Sequence, residues 1–312
     1  MAGWFIEVVD LYKRYRDGVT VGPISLSAGR GQIYGFVGPN GSGKTTTIRC
    51  MLGLQRPSGG HVSIAGLDPT TQPKELMRMV GYSQELPSFP PFLTGRDVVR
   101  VAAELKGLSG EELRREVARV LDLTGIVSHA NRKVGGYSKG MLQRLSVAQA
   151  LVGDPEILIL DEPMLGVDPA ARFQMREIFL ELRRSGKTIL FSTHELLELE
   201  RVADRVGVIY RGKVAVEGDV GELLSQGPRV IRVEAEVMRP QLVNPALLES
   251  LEGVSRVSIE GSIIRVEFDG VDGREALSEA LVRSGAGLLR LETVNKTLEE
   301  LFMEVVRRHA GG

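Results

Sequence analysis

Along the first ~225 residues, short aliphatic and β-branched runs alternate with longer segments in which apolar positions recur every three or four residues. Ile33–Val37, Val62–Ile64, Ile157–Leu160, Thr188–Phe191 and Val206–Ile209 read as strands. Thr45–Leu52, Gly140–Leu151, Ala170–Arg184 and Glu195–Ala203 read as helices. Strand, turn, helix, strand in this order predicts an α/β fold, with a mostly parallel sheet covered on both faces. The alternation breaks from about Pro90 to Gly153, where no strand pattern is visible. Asp97–Leu105, Glu111–Leu123 and Ser138–Leu151 read there as amphipathic helices, separated by Gly107–Gly110 and the polar stretch Ser128–Gly136. We read residues 88–153 as a helical insert able to move as a unit relative to the sheet.

The pattern changes again after Gly227-Pro228, a pair that marks a turn and the expected domain boundary. Arg229–Glu236 alternates as a strand, Asn244–Leu251 is a short helix, and Val254–Glu260 with Ile263–Phe268 form a hairpin around Gly261-Ser262. Arg274–Ser284 follows as a helix, Gly287–Thr293 as a strand and Lys296–Arg308 as a closing helix. The order β-α-β-β-α-β is the split pattern of ferredoxin-like sheets. Two domains are therefore expected, at 1–227 and 228–312. That agrees with the ~100–200 residues usual per domain for a chain of 312.

Composition narrows the function classes. Hydrophobic residues are 43% and charged residues 25%, ordinary for a globular chain. Lys+Arg is 39 and Asp+Glu is 40, a formal net charge of −1, which argues against a partner gathered by long-range attraction to nucleic acid. The 37 glycines exceed the roughly 22 that a typical ~7% would give, which points to many tight turns. A single cysteine, Cys50, cannot form an intrachain disulfide and fits a reducing compartment. No run approaches the ~18 apolar residues of a membrane span, and the N-terminus lacks a signal-peptide pattern. A chain soluble by itself is expected, with any membrane role exercised through a partner.

Two motifs carry chemistry. Gly38-Pro39-Asn40-Gly41-Ser42-Gly43-Lys44-Thr45 matches G-x-x-x-x-G-K-[ST], after an apolar run and before a helical pattern, with Thr46 next in line. Its glycines let backbone N–H groups face a phosphate with no Cβ in the way, and the helix start adds partial positive charge. Lys44 would reach the β- and γ-phosphates, and Thr45 would offer a hydroxyl to Mg²⁺. Ile157-Leu158-Ile159-Leu160 then delivers Asp161 and Glu162 at a strand's C-terminal end, where open α/β sheets bind ligands. Asp161 suits a Mg²⁺ ligand. Glu162, pointing the other way by strand alternation, suits a general base for the attacking water.

ATPases, GTPases and kinases share these two motifs, and further residues discriminate. Tyr137-Ser138-Lys139-Gly140-Met141-Leu142-Gln143-Arg144 resembles the signature motif of ABC-type ATPases, L-S-G-G-Q. Lys139 stands for a Gly and Met141 for the Gln, while Ser138 and Gly140 are kept; the form is similar to that of exporter-type members. In the same resemblance Gln84 matches the Q-loop glutamine, implied to contact Mg²⁺ and sense the γ-phosphate. Asp168 matches the D-loop, His194 the switch histidine, and Tyr15, 23 positions before Gly38, the aromatic that stacks on adenine. Tyr12 competes with Tyr15 for that role. Met164 departs from the small hydroxyl residue usual after Glu-Pro. The resemblance covers about residues 4–225.

It implies a P-loop ATPase in which Gly38 to Thr46, Tyr15, Ser138, Gly140 and Asp168 bind ATP. Thr45, Gln84 and Asp161 would hold Mg²⁺, and Lys44, Gln84, Glu162 and His194 would act in catalysis. It further implies a homodimer or heterodimer of ATPase subunits, with the signature Ser of one closing the site of the other. Membrane domains would lie on separate chains, placing this one at the cytoplasmic face of the membrane. A soluble family member acting on nucleic acid or ribosomes is the alternative; a P-loop kinase would leave Ser138–Arg144 and His194 unexplained. Thr297–Phe302 resembles the end of the appendage of drug- and lipid-type exporter ATPases. The tail is thereby expected to serve dimer contact or regulation, a passive packing domain being the other reading.

Overall fold

Residues 3–225, 230–294 and 297–310 are described by the computed structural model. In chain order the first part holds β1 (Ile6–Arg14), β2 (Thr20–Ala28), β3 (Ile33–Val37), α1 (Lys44–Met51), β4 (Gly59–Ile64), α2 (Pro73–Met79) and β5 (Val80–Ser83). It continues with α3 (Gly95–Leu105), α4 (Gly110–Leu123), α5 (Lys139–Ala150), β6 (Ile157–Asp161), α6 (Pro169–Arg184), β7 (Thr188–Thr193), α7 (Leu196–Glu200), β8 (Arg205–Tyr210), β9 (Lys213–Asp219) and α8 (Val220–Ser225). The described residues fall into two compact units divided after Val220, the second ending at Glu304. The expected Gly227-Pro228 boundary lies outside the described residues.

The central sheet has the order β5-β6-β7-β3-β8-β9, parallel throughout except for β9, which pairs antiparallel with β8. Every residue of β3, β6 and β7 is buried, which suits their largely apolar sequences: a parallel strand covered on both faces has no wet side, and even Asp161, Thr188, Ser192 and Thr193 are buried. Val62–Ile64 does not join this sheet. It belongs to β4 in a separate antiparallel sheet, β2-β1-β4, whose half-wet strands alternate. Ile48, Met51 and Leu52 share one core with Ile6, Val8 and Leu26 of that sheet and with Phe36, Ile159 and Leu190 of the central one. The helix after the glycine loop is thus held between two sheets. The expected helix from Glu195 to Ala203 is shorter, ending at Glu200.

Residues 95–150 hold three α-helices, two short 3-10 turns and no strand. Thr94 caps α3 in a reciprocal box with Asp97, and the Thr94 bonds hold the Asp97 carboxyl below its usual range. Two contacts tie the insert to its neighbours, one to the edge strand β5 and one to α2. The Ser83 and Ser146 hydroxyls meet at 2.7 Å in the interior, and Lys106 donates to the Met77 carbonyl at 2.8 Å. Gly81 allows the closest approach, since a Cβ there would lie 1.9 Å from the Ala150 carbonyl oxygen.

The second unit carries β10 (Val230–Val237), α9 (Pro245–Glu249), β11 (Val254–Glu260), β12 (Ile263–Asp269), α10 (Arg274–Arg283) and β13 (Leu288–Val294); α11 (Leu298–Ala310) begins in it. Its antiparallel sheet has the order β11-β12-β10-β13. Val233, Ala235, Ile264, Val266 and Phe268 pack with Leu248, Leu277 and Leu281 of the helices. The alternate positions bear charge: Arg232 pairs with Glu267 and Glu300, Arg265 with Glu234 and Glu260, and Arg290 with Glu234 and Glu292.

Gly81→Ala tests the insert's seating. Because a carbonyl rather than a flexible side chain blocks the methyl, it should destabilise by on the order of 3 kcal/mol, lowering Tm by several degrees in calorimetry. An unchanged Tm would contradict this packing.

Candidate active site

The loop from Gly38 to Gly43 joins β3 to α1, and glycine is required at its two ends. A Cβ on Gly38 would lie 2.3 Å from the Ile209 carbonyl oxygen of β8. Gly43 has φ +109°, and a Cβ there would meet Val21 at 2.4 Å. Gly43 is also the N-cap of α1; no side chain caps that helix, and its first turn holds no acidic residue. Its leading N–H groups are therefore available to an anion. Lys44 is buried, and its Nζ donates to the carbonyls of Gly38 (2.7 Å) and Pro39 (3.4 Å). The same Nζ stands 3.1 Å from Glu162 Oε1.

The acidic pair is set by the register of two parallel strands. Asp161, the last residue of β6, lies beside Ser192 of β7. The Ser192 hydroxyl donates to Asp161 Oδ1 at 2.5 Å and accepts from the Glu162 N–H at 3.0 Å. Asp161 is 0% exposed, yet its Oδ2 has no hydrogen-bond partner, and neither has the buried Ser42 hydroxyl oxygen. A buried carboxylate oxygen so placed fits a hard cation. Among the described residues no three His, Cys, Asp or Glu side chains cluster as a cage. Asp161 Oδ2, hard and unpaired, is the kind of donor that Mg²⁺ takes alongside phosphate and water oxygens.

Strand alternation does not aim Glu162, contrary to the sequence expectation. The strand ends at Asp161, and Glu162 takes a left-handed backbone, φ +48°. This turn brings its carboxylate between Lys44 and His194, with Oε2 3.0 Å from His194 Nδ1. A carboxylate only accepts, so Nδ1 carries the hydrogen in that bond. Lys44, Glu162 and His194 form one continuous polar line.

A cavity of about 400 Å³ opens against Lys44 and Glu162, while His194 lies behind Glu162 and does not line it. Of the expected residues, Tyr15, Asn40, Gly41, Gly43, Lys44, Thr45, Thr46 and Glu162 line it. The Tyr15 hydroxyl pairs with the Thr46 hydroxyl at 2.9 Å. Tyr12 does not line it; its ring lies against Gly59 of β4. Asp17, Val19, Val21 and Glu85 also line the cavity, and no sequence feature marked them. Gln84 is exposed at the end of β5 and does not line the cavity, whereas its neighbour Glu85 does. Ser192 stands beside two other hydroxyl residues of β7, Thr188 and Thr193, and nothing in the sequence marks it as the partner of Asp161.

Three expected residues form a surface apart from the cavity lining. Ser138 is exposed and caps α5, accepting from the Met141 N–H at 3.3 Å. Asp168 caps α6 through the Ala171 N–H at 3.0 Å. Gly140 lies where a Cβ would meet Val167 at 3.8 Å, in ordinary contact with the segment that leads to Asp168.

A strand, glycine loop and helix with a buried lysine, beside a strand ending in two carboxylates, define the site of a P-loop nucleoside triphosphatase. The family described as ABC transporter matches residues 21–165. The bacitracin transport ATP-binding protein BcrA of Bacillus licheniformis is 32% identical over 303 residues, 96% of this chain and 97% of that one. The Nod factor export ATP-binding protein I of Burkholderia orbicola is 37% identical over 241 residues, 73% and 79% of the two chains. A solved ATP binding subunit of an ABC transporter is 32% identical with a TM-score of 0.65, covering 71% of this chain and 92% of that one. This chain belongs to the ABC transporter family, as an ATP-binding protein. It binds and hydrolyses ATP as the ATPase subunit of a transporter.

Lys44→Ala should abolish measurable ATP binding in titration calorimetry. It also leaves the Glu162 carboxylate buried without its cation, at a cost of about 3–5 kcal/mol. Unchanged ATP affinity would refute the phosphate-site assignment.

Proposed function

We propose that this ATPase works as a head-to-tail pair, with a second copy or a close relative, and drives export through separate membrane-spanning subunits at the cytoplasmic face of the membrane. The observation that carries the pairing is the separation of two surfaces. The cavity at Lys44 is lined without Ser138, Gly140 or Asp168, while Ser138 stands exposed at the start of α5. A two-fold pair supplies each cavity with the other subunit's Ser138 turn. Export follows the names of relatives such as the Nod factor export protein. Among the described residues no helix is long and apolar enough to cross a membrane, in keeping with membrane domains on other chains.

In this reading the loop amides from Gly38 to Thr46 and Lys44 hold the β- and γ-phosphates, and Tyr15 stacks on adenine. Thr45 and Asp161 would hold Mg²⁺, which would supply charge neutralisation at the phosphates, while Gln84 stays outside the cavity lining. Glu162 takes the proton of the attacking water, and His194, bonded to Glu162, bears on the γ-phosphate. Phosphoryl transfer asks for positioning and charge more than for covalent chemistry, and these groups provide both. ATP favours the closed pair by differential affinity, and hydrolysis removes that bias. The helical insert at 88–153, hinged near Gln84, passes the motion to the membrane subunits. Residues 228–312 form an accessory domain for dimer contact or regulation, and truncation at Gly227 should therefore alter dimerisation or ATPase rate.

Glu162→Gln should bind ATP, lose on the order of 10²–10⁴-fold in turnover, and run as an ATP-dependent dimer in sizing with light scattering. Adding Ser138→Arg should return it to monomer. An ATP-loaded Glu162→Gln protein that stays monomeric at micromolar concentration would sink the pairing. Co-purification with RNA or DNA in place of a polytopic membrane protein would sink the transporter role.

A further inference from the structure

Gln143 lies in α5, five residues past the Ser138 cap, and is 3% exposed. Its side-chain nitrogen donates to two main-chain carbonyls that belong to different parts of the chain. One is the carbonyl of Glu162, at 2.9 Å, just beyond β6. The other is the carbonyl of Glu85, at 3.2 Å, in the segment leaving β5. A primary amide has two N–H donors, and both are used here. The Oε1 of the same amide is buried with no hydrogen-bond partner, so the group is placed for what its nitrogen does.

The Glu162 main chain needs such support. Its left-handed φ of +48° is a conformation that non-glycine residues keep only where the surroundings fix it. The Glu162 N–H is held by the Ser192 hydroxyl. Its carbonyl accepts from the Leu165 N–H at 3.0 Å and from Gln143. This backbone turn is what sends the carboxylate toward Lys44 and His194. Gln143 therefore grips the residue that carries the base and, with the same amide, the residue that follows Gln84 and lines the cavity.

We propose that Gln143 is a positioning residue for ATP hydrolysis, locking the direction of the Glu162 carboxylate to the segment just after Gln84. The proposal rests on the reading of Glu162 as general base. Gln143 sits in α5 of the helical insert, whereas Glu162 leaves the central sheet. The amide thus makes the base's aim depend on where the insert sits. It touches neither phosphate nor water in this scheme; it acts only through Glu162.

The test uses the full chain with Gln143→Met, close in length and without donors. Steady-state ATPase gives kcat and KM separately, calorimetry gives the Kd for ATP, and both are repeated in a Glu162→Gln background. We expect kcat to fall about 10–100-fold, the effect of a modest misplacement of a reacting group, with Kd within about twofold. In the Glu162→Gln background the second substitution should cost less than about twofold, because the base it orients is gone. A kcat within about twofold of the parent, or the same fold loss in both backgrounds, would overturn the proposal. Glu162→Gln retaining full turnover would instead overturn the base assignment. Should Gln143→Met not fold, Gln143→Asn keeps the amide but is one methylene too short to span both carbonyls. It should lose kcat while keeping the parent Tm, and full kcat there would equally overturn the proposal.

Discussion

Two opposite charges buried side by side organise this molecule. Lys44 and Glu162 lie 3.1 Å apart with side chains 6% and 5% exposed, and removing either from water alone would be expensive. Each is delivered by a different device. Lys44 opens a helix held between two sheets, and Glu162 follows a buried strand through a left-handed turn. The pair needs both devices in register, and the surrounding polar groups serve that register. Ser192 fixes the start of the turn, Gln143 its end, and the Gly38 and Pro39 carbonyls take the remaining lysine protons. In the proposed scheme a triphosphate entering the loop would compete with Glu162 for Lys44, so that one charge would first hold the base in place and then pass to the phosphates.

Much of this was legible in the sequence because the physics is local. The glycine loop must be glycine where Gly38 passes the Ile209 carbonyl and Gly43 turns left-handed, so the motif and its geometry are one statement. The fully buried strands β3, β6 and β7 betray themselves by having no polar side. What stayed hidden depends on distant partners. β1 and β2 are half-wet strands that make sense only as an antiparallel pair, and β9 only as the return of β8. The aim of Glu162 was misread as strand alternation because nothing in Asp161-Glu162-Pro163 announces where the strand stops. Gln143 looked like part of a signature, but its two carbonyl partners lie 58 and 19 residues away. Asp17, Val19 and Val21 line the cavity because β1 and β2 pair, which no local pattern records.

The residues ascribed to a second subunit already have employment in their own chain. Ser138 and Asp168 each cap a helix, an arrangement that satisfies a leading N–H and orients the turn. A cap is a rigid mounting, since the hydroxyl or carboxylate is tied to the helix it begins. Lys139 and Met141, which depart from the family's usual residues, flank that mounting without replacing its capping atom. The turn can therefore keep its shape while its side chains vary.

In the second unit, apolar and charged residues alternate from Ile231 along β10 and from Ile264 along β12, so one face of the sheet is core and the other is a lattice of arginine and glutamate. Exposed pairs of this kind add little stability each. Their effect is colloidal instead. A sheet whose open side is already neutralised by its own side chains offers a partner paired charges rather than a greasy plane, so a surface that meets it must match its pattern of arginine and glutamate.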